Sequence, residues 1–282
     1  MTVGGILTAM VTPFGEDGEL NEEAAVALMR HLLENGSDGL VLAGTTGESP
    51  TLTDEEMVRL WELGVAEGDG KLVVAGTGSN DTRHAIELTE RAHEAGVDAM
   101  LVVTPYYNKP NRRGIIEHYK AVAAATDKPI VLYNIPSRTV IDVPNDLLRE
   151  LGEIPNVAAV KQARYENLES IDGLDLLAGN DDMLADVLDV GGTGGIHVSS
   201  HLVGREMRRM IDEPESRREI HDSLADLFKA VFVATSPIGI KAALNMTGHD
   251  VGAPRLPLVE ASEEEKATVR EALERHGLLA AV

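Results

Sequence analysis

Eight short apolar runs alternate with longer amphipathic stretches, and this alternation limits the possible folds more than any other feature of the chain. The stretches between the runs carry helix signals, such as Thr53 before three acidic residues and Gly96 after Ala95. Apolar runs without alternating polar positions are typical of strands that are buried on both faces of a parallel sheet. The predicted strands are residues 6–11, 40–43, 72–75, 99–103, 130–133, 157–160, 174–178 and 195–198.

Eight strand–helix units predict an α/β fold, a (β/α)8 TIM barrel of parallel strands, with an open doubly wound sheet as the alternative. From about Pro214 onward the pattern is helical only, with predicted helices at 218–235, 237–247 and 262–276. A chain of 282 residues is long enough for a barrel and a small appendage. We therefore expect a catalytic barrel in residues 1–215 and a C-terminal helical region in residues 216–282.

The composition argues against several classes of function. A formal net charge of -22 repels nucleic acid and anionic membranes, so we expect neither as a partner. No apolar stretch reaches membrane-spanning length, and the first residues lack the pattern of a secretion signal, which predicts a cytoplasmic protein. The absence of cysteine excludes disulfides, thiolate metal sites and cysteine nucleophiles.

Polar side chains follow several of the predicted strands at the points where the strands end. Thr45 and Thr46 follow the second strand, Tyr107 follows the fourth, and Tyr133 and Arg138 lie at and after the end of the fifth. In a barrel, the carboxyl ends of the strands and the loops after them form the functional face. We therefore expect these side chains to converge on one mouth.

Lys161 lies at the end of the sixth run, within the apolar segment 157–163. Burying an unpaired ammonium is costly, and the usual response is loss of its proton, which converts the amine into a nucleophile at neutral pH. Schiff-base enzymes prepare their lysine in this way. The alternative is a lysine at a strand end whose stem packs while its amine reaches water. This segment alone does not decide between the two.

The other candidates also have two interpretations when each is taken alone. Thr45 and its neighbours form either a cradle for a carboxylate or a tight turn, and Tyr133 either relays protons or packs with its hydroxyl bonded. Arg138 either binds a substrate carboxylate or forms a surface ion pair. His197 and His201 are four residues apart, but no cluster of carboxylates near them in sequence completes a ligand set, so we expect no metal.

Four motifs at linked spacings include most of these candidates, namely Gly44–Ser49, Val103–Pro110, Tyr133–Thr139 and Val160–Lys161. Taken together, they resemble the dihydrodipicolinate synthase branch of the pyruvate-dependent class I aldolase and N-acetylneuraminate lyase family. The resemblance continues in residues 177–181, 195–198, 237–243 and 255–258, so it spans nearly the whole chain in order. Several linked motifs at matching spacings make it specific.

The resemblance implies a chemistry for Lys161. The lysine would attack the ketone of pyruvate and form an imine and then an enamine, which would add to L-aspartate-4-semialdehyde in lysine and diaminopimelate biosynthesis. Tyr133, Thr45 and Tyr107 would form a proton relay, with Tyr107 reaching in from a neighbouring subunit. The family therefore implies at least a dimer, and suggests a homotetramer built as a dimer of dimers.

The resemblance also implies the binding residues. Thr46 would hold the carboxylate of pyruvate and Arg138 that of the semialdehyde, while the main chain at Gly179 and Ile196 would line the pocket near Lys161. It implies no metal and no organic cofactor, because the imine itself accepts the electrons.

Some residues beside the expected pocket depart from the family's pattern, namely Val140, Gln162, Arg164, Tyr165 and His201. They leave the acceptor aldehyde less certain than the imine chemistry. One alternative is a 2-keto-3-deoxy sugar-acid aldolase of the same family, which would tolerate the loss of an arginine at the mouth. Another is a catalytically silent binding protein, against which the retained set of candidate catalytic residues argues.

Overall fold

Eight parallel strands close into a barrel in a computed structural model, which describes residues 2–279. Each strand pairs with the next one in sequence, and the eighth pairs with the first. The closed ring confirms the predicted barrel and excludes the open sheet. The strands are β1 Gly5–Ala9, β2 Gly39–Leu42, β3 Leu72–Gly76, β4 Ala99–Val103, β5 Ile130–Asn134, β6 Val157–Gln162, β7 Asp175–Ala178 and β8 Gly194–His197.

Within residues 2–279, helices follow every strand except β6 and surround the barrel, and three more helices continue the chain beyond it. One of the eight predicted strand–helix units is therefore wrong, because turns and one isolated bridge connect β6 to β7 instead of a helix. Single-turn 3-10 helices lie at Ser49–Thr51 and Asp181–Met183. The helices are α1 Glu22–Glu34, α2 Asp54–Glu67, α3 Thr82–Ala95, α4 Arg112–Ala123, α5 Pro136–Thr139, α6 Asn145–Leu151, α7 Leu184–Asp189, α8 Ser200–Asp212, α9 Arg217–Val231, α10 Ile238–Met246 and α11 Glu263–Arg275.

Local sequence signals determine where several helices begin and end. Before α2, the Thr53 hydroxyl accepts a hydrogen bond from the Glu56 amide at 3.2 Å, and the Glu56 carboxylate accepts one from the Thr53 amide at 2.8 Å. This capping box satisfies amide groups that have no partner within the helix. At the end of α3, Gly96 adopts a φ of 86°, which glycine reaches without a steric penalty.

Strand residues alternate between two apolar cores. One set points outward and packs under the surrounding helices, as Ile6 and Leu132 do together with Trp61 of α2. The other set fills the barrel. Lys161 is in register with Tyr133 of β5 and with Leu177 of β7, which are both members of the inner set. The strand pattern therefore turns the lysine side chain towards the barrel interior.

The C-terminal helices form a packed group on the barrel, in which α9 contacts α8 and α10 contacts both α9 and α11. Their bounds agree with the predicted helices to within a few residues, and the division of the chain at residue 215 stays a prediction. Within residues 2–279, no helix has both the length and the apolar character that crossing a membrane requires.

Candidate active site

Lys161 and Tyr133 form the centre of the site. Both side chains are buried, with 5% and 4% of their surfaces exposed, and they project from neighbouring strands in register. The Lys161 amine lies 4.3 Å from the centroid of the Tyr133 ring. None of the ion pairs within residues 2–279 involves Lys161. The amine is therefore enclosed by the barrel without a carboxylate counter-ion.

The loop after β2 carries Thr45 and Thr46 in a tightly fixed conformation. Two non-glycine residues on either side of them, Ala43 and Glu48, have left-handed φ angles of 53° and 59°. Such a conformation costs roughly 1 kcal/mol or more per residue, so surrounding contacts must hold it in place. One of these contacts is the hydroxyl of Thr12, which donates to the Gly47 carbonyl at 2.6 Å. Thr46 is buried and Thr45 half-buried.

A cavity of about 320 Å³ opens beside this loop. Thr45 and Arg138 line it, which confirms that the loops after β2 and β5 meet at one mouth. Lys161 and Tyr133 are not among its lining residues, so the cavity brings Thr45 and Arg138 together without including the lysine. The C-terminal region supplies part of its wall through Thr235, Ser236, Pro257 and Leu258.

Arg138 lies in α5, the single turn after β5, and its side chain is exposed. The one hydrogen bond of its guanidinium within the described residues is a long one, 3.5 Å from Nη2 to the Ser236 carbonyl oxygen. It takes part in no ion pair among residues 2–279. A guanidinium at a cavity mouth with most of its donors free is well suited to bind a carboxylate.

Gly179 follows β7 and Ile196 lies in β8, the two strands that come after the one carrying Lys161. The Gly179 amide donates to the Gln162 carbonyl at 2.7 Å, and a Cβ at position 179 would lie only 2.7 Å from that oxygen. Only glycine allows β7 to end this close to the residue after Lys161. Ile196 is 1% exposed and belongs to the inner core.

Tyr107 is not brought to the other candidates within one chain. Its side chain is 88% exposed, its φ is 69°, and it does not line the cavity. Its neighbour Tyr106 does line the cavity. Tyr107 therefore does not join the site of its own chain, and its predicted role in a neighbouring subunit stays a prediction.

Gln162 and Arg164, which depart from the family's pattern, belong to a polar network behind the site. The Gln162 side-chain oxygen accepts from the Asn134 amide group at 3.0 Å and from the Arg164 backbone amide at 3.1 Å. The Arg164 guanidinium donates to Asp142 at 2.8 Å and is 9% exposed. The network joins the loop after β5 to the end of β6, and Arg164 is outside the cavity lining.

His201 is also accounted for by internal contacts. Its Nδ1 donates to the Val198 carbonyl at 2.7 Å, and its Nε2 accepts from the Val11 amide at 3.2 Å. Complete burial lowers the pKa of His201 to about 4, against weaker opposing effects from the Val198 carbonyl and Asp181. The ring is therefore neutral near pH 7, with both nitrogens engaged.

Sequence reasoning missed two residues next to the site. Glu48 lines the cavity, and its buried carboxylate is 2.7 Å from the amine of Lys241 in α10. The signal was present, because Lys241 stands in the apolar run Ile238–Ala243 much as Lys161 stands in its own. What sequence could not supply was the pairing across 193 positions, from residue 48 to residue 241.

The comparisons with known proteins agree with this geometry. The model of the Dihydrodipicolinate synthetase family matches residues 2–276. The 4-hydroxy-tetrahydrodipicolinate synthase of Desulforudis audaxviator is 45% identical, over 99% of this chain and 100% of that protein. The enzyme of the same name from Bacillus subtilis is 43% identical, over 95% of this chain and 98% of that protein.

Two solved structures are similar to this chain in fold. The dihydrodipicolinate synthase of Acinetobacter baumannii, crystallised in complex with pyruvate, superimposes with a TM-score of 0.95 at 33% identity and covers 99% of this chain and 100% of its own. The dihydrodipicolinate synthase DapA-2 of Bacillus anthracis gives a TM-score of 0.93 at 40% identity, over 97% of this chain and 99% of its own.

Proposed function

Because the chain belongs to the Dihydrodipicolinate synthetase family, we propose that it is a 4-hydroxy-tetrahydrodipicolinate synthase that joins pyruvate to L-aspartate-4-semialdehyde. The observation that carries this proposal is the buried amine of Lys161, which lies without a counter-ion against Tyr133 near the carboxyl end of the barrel. A carbon–carbon lyase that works through a lysine imine needs a nucleophile in this setting.

The first half of the reaction uses pyruvate alone. The Lys161 nitrogen attacks the ketone carbon, and the resulting carbinolamine loses water to give the imine. The imine draws electrons from the neighbouring methyl group, so that this group loses a proton and an enamine forms. We assign the proton transfers to Tyr133 and Thr45. The support is that the Tyr133 ring centroid lies 4.3 Å from the Lys161 amine and that Thr45 lines the cavity at the mouth.

The second half forms the new bond. The enamine carbon attacks the aldehyde carbon of the semialdehyde, whose oxygen takes a proton and becomes a hydroxyl. The amino group of the semialdehyde then attacks the imine carbon, which closes the ring and releases Lys161 as a free amine. No electrons leave the substrates, and the imine acts as the electron sink, so we propose no metal or organic cofactor.

Two side chains bind the substrate carboxylates in this proposal. Thr46, buried in the fixed loop after β2, holds that of pyruvate together with nearby backbone amides, while Gly179 and Ile196 close the pocket. Arg138 binds the carboxylate of the semialdehyde, since its guanidinium stands exposed at the cavity mouth. A bidentate contact to arginine would orient the acceptor for attack.

Tyr107 completes the proton relay from a neighbouring subunit. The support is that this tyrosine is 88% exposed in a single chain and held by a left-handed backbone outside its own cavity. The proposal therefore requires at least a dimer, and we propose a homotetramer built as a dimer of dimers.

The test is an assay of pyruvate with L-aspartate-4-semialdehyde, coupled to a reductase that consumes the product. We expect Lys161→Ala to lose at least about 1,000-fold in kcat, because the nucleophile is gone, with the circular dichroism spectrum unchanged. Lys120→Ala, which removes an exposed lysine on α4, is the matched control and should keep full activity.

Absence of turnover in folded wild-type protein would contradict the proposed acceptor. Cleavage of 2-keto-3-deoxygluconate would then identify a sugar-acid aldolase that uses the same imine. Normal turnover by the lysine variant would contradict the mechanism itself.

A further inference from the structure

Lys241 is a second buried lysine, and the reaction does not use it. Its side chain in α10 is 1% exposed, and its amine lies 2.7 Å from Oε1 of Glu48. The amine also donates to the Ala253 carbonyl at 3.1 Å and lies 4.3 Å from the centroid of the Phe14 ring. Burial lowers the pKa of Lys241, and the charge of Glu48 opposes that effect. These three contacts surround the amine with a carboxylate, a carbonyl and an aromatic face.

Glu48 connects this lysine to the loop that carries Thr45 and Thr46. Its backbone amide donates to the Thr45 carbonyl at 3.1 Å, and its φ of 59° lies in the region that favours glycine. A glutamate in this conformation is strained, so contacts around it must offset the cost. Lys241 contacts one carboxylate oxygen, and the backbone amide of Arg255 donates to the other at 2.8 Å.

Arg255 holds the far end of the same loop. Its guanidinium donates to the Thr51 carbonyl at 2.8 Å and to the Glu56 carboxylate at 2.9 Å. The guanidinium carbon lies 4.2 Å from the Phe14 ring, on which Lys241 also packs. Lys241 and Arg255 of the C-terminal region thus bind the loop at Glu48, and Arg255 binds it again at Thr51.

We propose that Glu48 and Lys241 are positioning residues, whose buried ion pair holds the loop so that Thr45 and Thr46 keep the geometry needed for proton transfer and pyruvate binding. The C-terminal helical region is then part of the catalytic apparatus through α10. This inference rests on the imine chemistry of the proposed function, but not on the identity of the acceptor aldehyde.

The experiment separates imine formation from proton transfer. Borohydride trapping of pyruvate measures the imine on Lys161. Loss of the pyruvate methyl signal in D2O, followed by NMR, measures removal of the methyl proton and needs no acceptor. In Lys241→Met we expect trapping at saturating pyruvate to stay near the wild-type yield, while the exchange rate falls about 10- to 100-fold because the relay is misplaced.

A control variant breaks a part-buried ion pair at the opposite end of the barrel by removing its cation. Arg208 is 2.5 Å from Asp38, which precedes β2 and accepts the Ile6 amide at 2.9 Å. Arg208→Met should lower the melting temperature and leave the exchange rate within about twofold of wild type, since a pair far from the loop does not position it. An equal fall of the exchange rate in this control would overturn the proposal.

Lys241→Met leaves the Glu48 carboxylate buried alone, which could destabilise the fold as well as misplace the loop. The double variant Glu48→Gln/Lys241→Met separates these two effects. It contains neither charge, so it should recover most of the melting temperature lost in Lys241→Met. We expect its exchange rate to stay at least about tenfold below wild type, because the amide cannot replace the ionic contact. Recovery of the exchange rate together with stability, or an unchanged rate in Lys241→Met, would overturn the positioning role.

Failure of the proposed function gives a different result. A wild-type protein that exchanges the pyruvate methyl protons but does not use the semialdehyde would refute the proposed acceptor. The exchange rates of the variants would still test the positioning role of Glu48 and Lys241, because the exchange assay needs no acceptor.

Discussion

Two lysines are buried in this protein, and their surroundings differ in one decisive respect. Lys241 makes an ion pair with Glu48 and a hydrogen bond to Ala253 on the outer side of the barrel. Lys161 lies inside the barrel against the Tyr133 ring and takes part in no ion pair of the described residues. Both stand in apolar runs of similar appearance. Burial alone therefore does not make a lysine a nucleophile.

In the proposed mechanism, one fold uses the same side chain in two ways. Removing one partner of a buried ion pair destabilises the folded state, because the other charge is left buried alone. A charge that is paired in this way is also not available to a ligand. A buried amine without a counter-ion stabilises little, but it is free to attack a carbonyl. Functional sites commonly keep such locally unfavourable groups at the expense of stability.

The stabilities of two matched variants would test this comparison most strongly. Lys241→Met leaves the Glu48 carboxylate buried without its partner, so we expect the free energy of unfolding to fall by about 3–5 kcal/mol. Lys161→Met replaces an amine that lacks a counter-ion with a side chain of similar length, so the change should be within about 1 kcal/mol. Chemical denaturation measures both. Equal losses in the two variants would contradict the distinction.

Arg138 offers a way to extend the comparison to a cation at the mouth of the site. Because its guanidinium has no carboxylate partner in the described residues, it should serve a substrate rather than the fold. We expect Arg138→Ala to raise the KM for L-aspartate-4-semialdehyde by about 10- to 100-fold, the value of one hydrogen-bonded charge contact, with little change for pyruvate.

Arg113→Ala, on the exposed side of α4, is the control for a lost surface charge. Steady-state kinetics with each substrate varied in turn would measure both variants. A larger effect on pyruvate than on the semialdehyde would place Arg138 at the wrong substrate.

The buried His201 ring makes the stability of the fold depend on pH, and this contribution can be measured separately from those of the two lysines. The pKa of this buried ring is about 4 in the folded state and near its usual 6.5 in the unfolded state. Between these values the unfolded chain binds the extra proton, so stability falls as the pH decreases from about 6.5 towards 4. At pH 5 the loss is about 2 kcal/mol.

His201→Asn should therefore show a smaller difference between the stabilities at pH 7.5 and pH 5 than the wild type does. The pH dependence is the readout, because the variant also changes a hydrogen bond to the Val11 amide and so shifts stability at every pH. Identical pH profiles for the two proteins would show that His201 does not contribute.

Much of the fold was predictable because it depends on local patterns. Apolar runs and capping residues such as Thr53 predicted the eight strands and the C-terminal helices to within a few residues, and the alternation predicted the barrel. The barrel rule then placed Thr45 and Arg138 at one mouth, which the cavity confirms. The catalytic roles of these residues stay predictions.

What could not be predicted depends on contacts between distant segments or between chains. The partner of Lys241 is far away in sequence, and no local pattern indicates which carboxylate it meets. Gln162 and Arg164 appeared to be departures beside the pocket, but their side chains meet Asn134 and Asp142 in a network that is visible only in three dimensions. Tyr107 is 88% exposed in a single chain, so its predicted role at the site of a neighbouring subunit stays a prediction.

Peptide mapping can locate the amine that reacts with pyruvate and so decide between the two buried lysines. The wild-type protein is incubated with pyruvate, reduced with borohydride and digested, and the modified peptide is identified by mass spectrometry. If the proposed mechanism holds, the adduct lies on Lys161 and none forms on Lys241, although both lysines are buried. An adduct on Lys241 or on an exposed lysine instead, or no adduct at all on the folded protein, would contradict it.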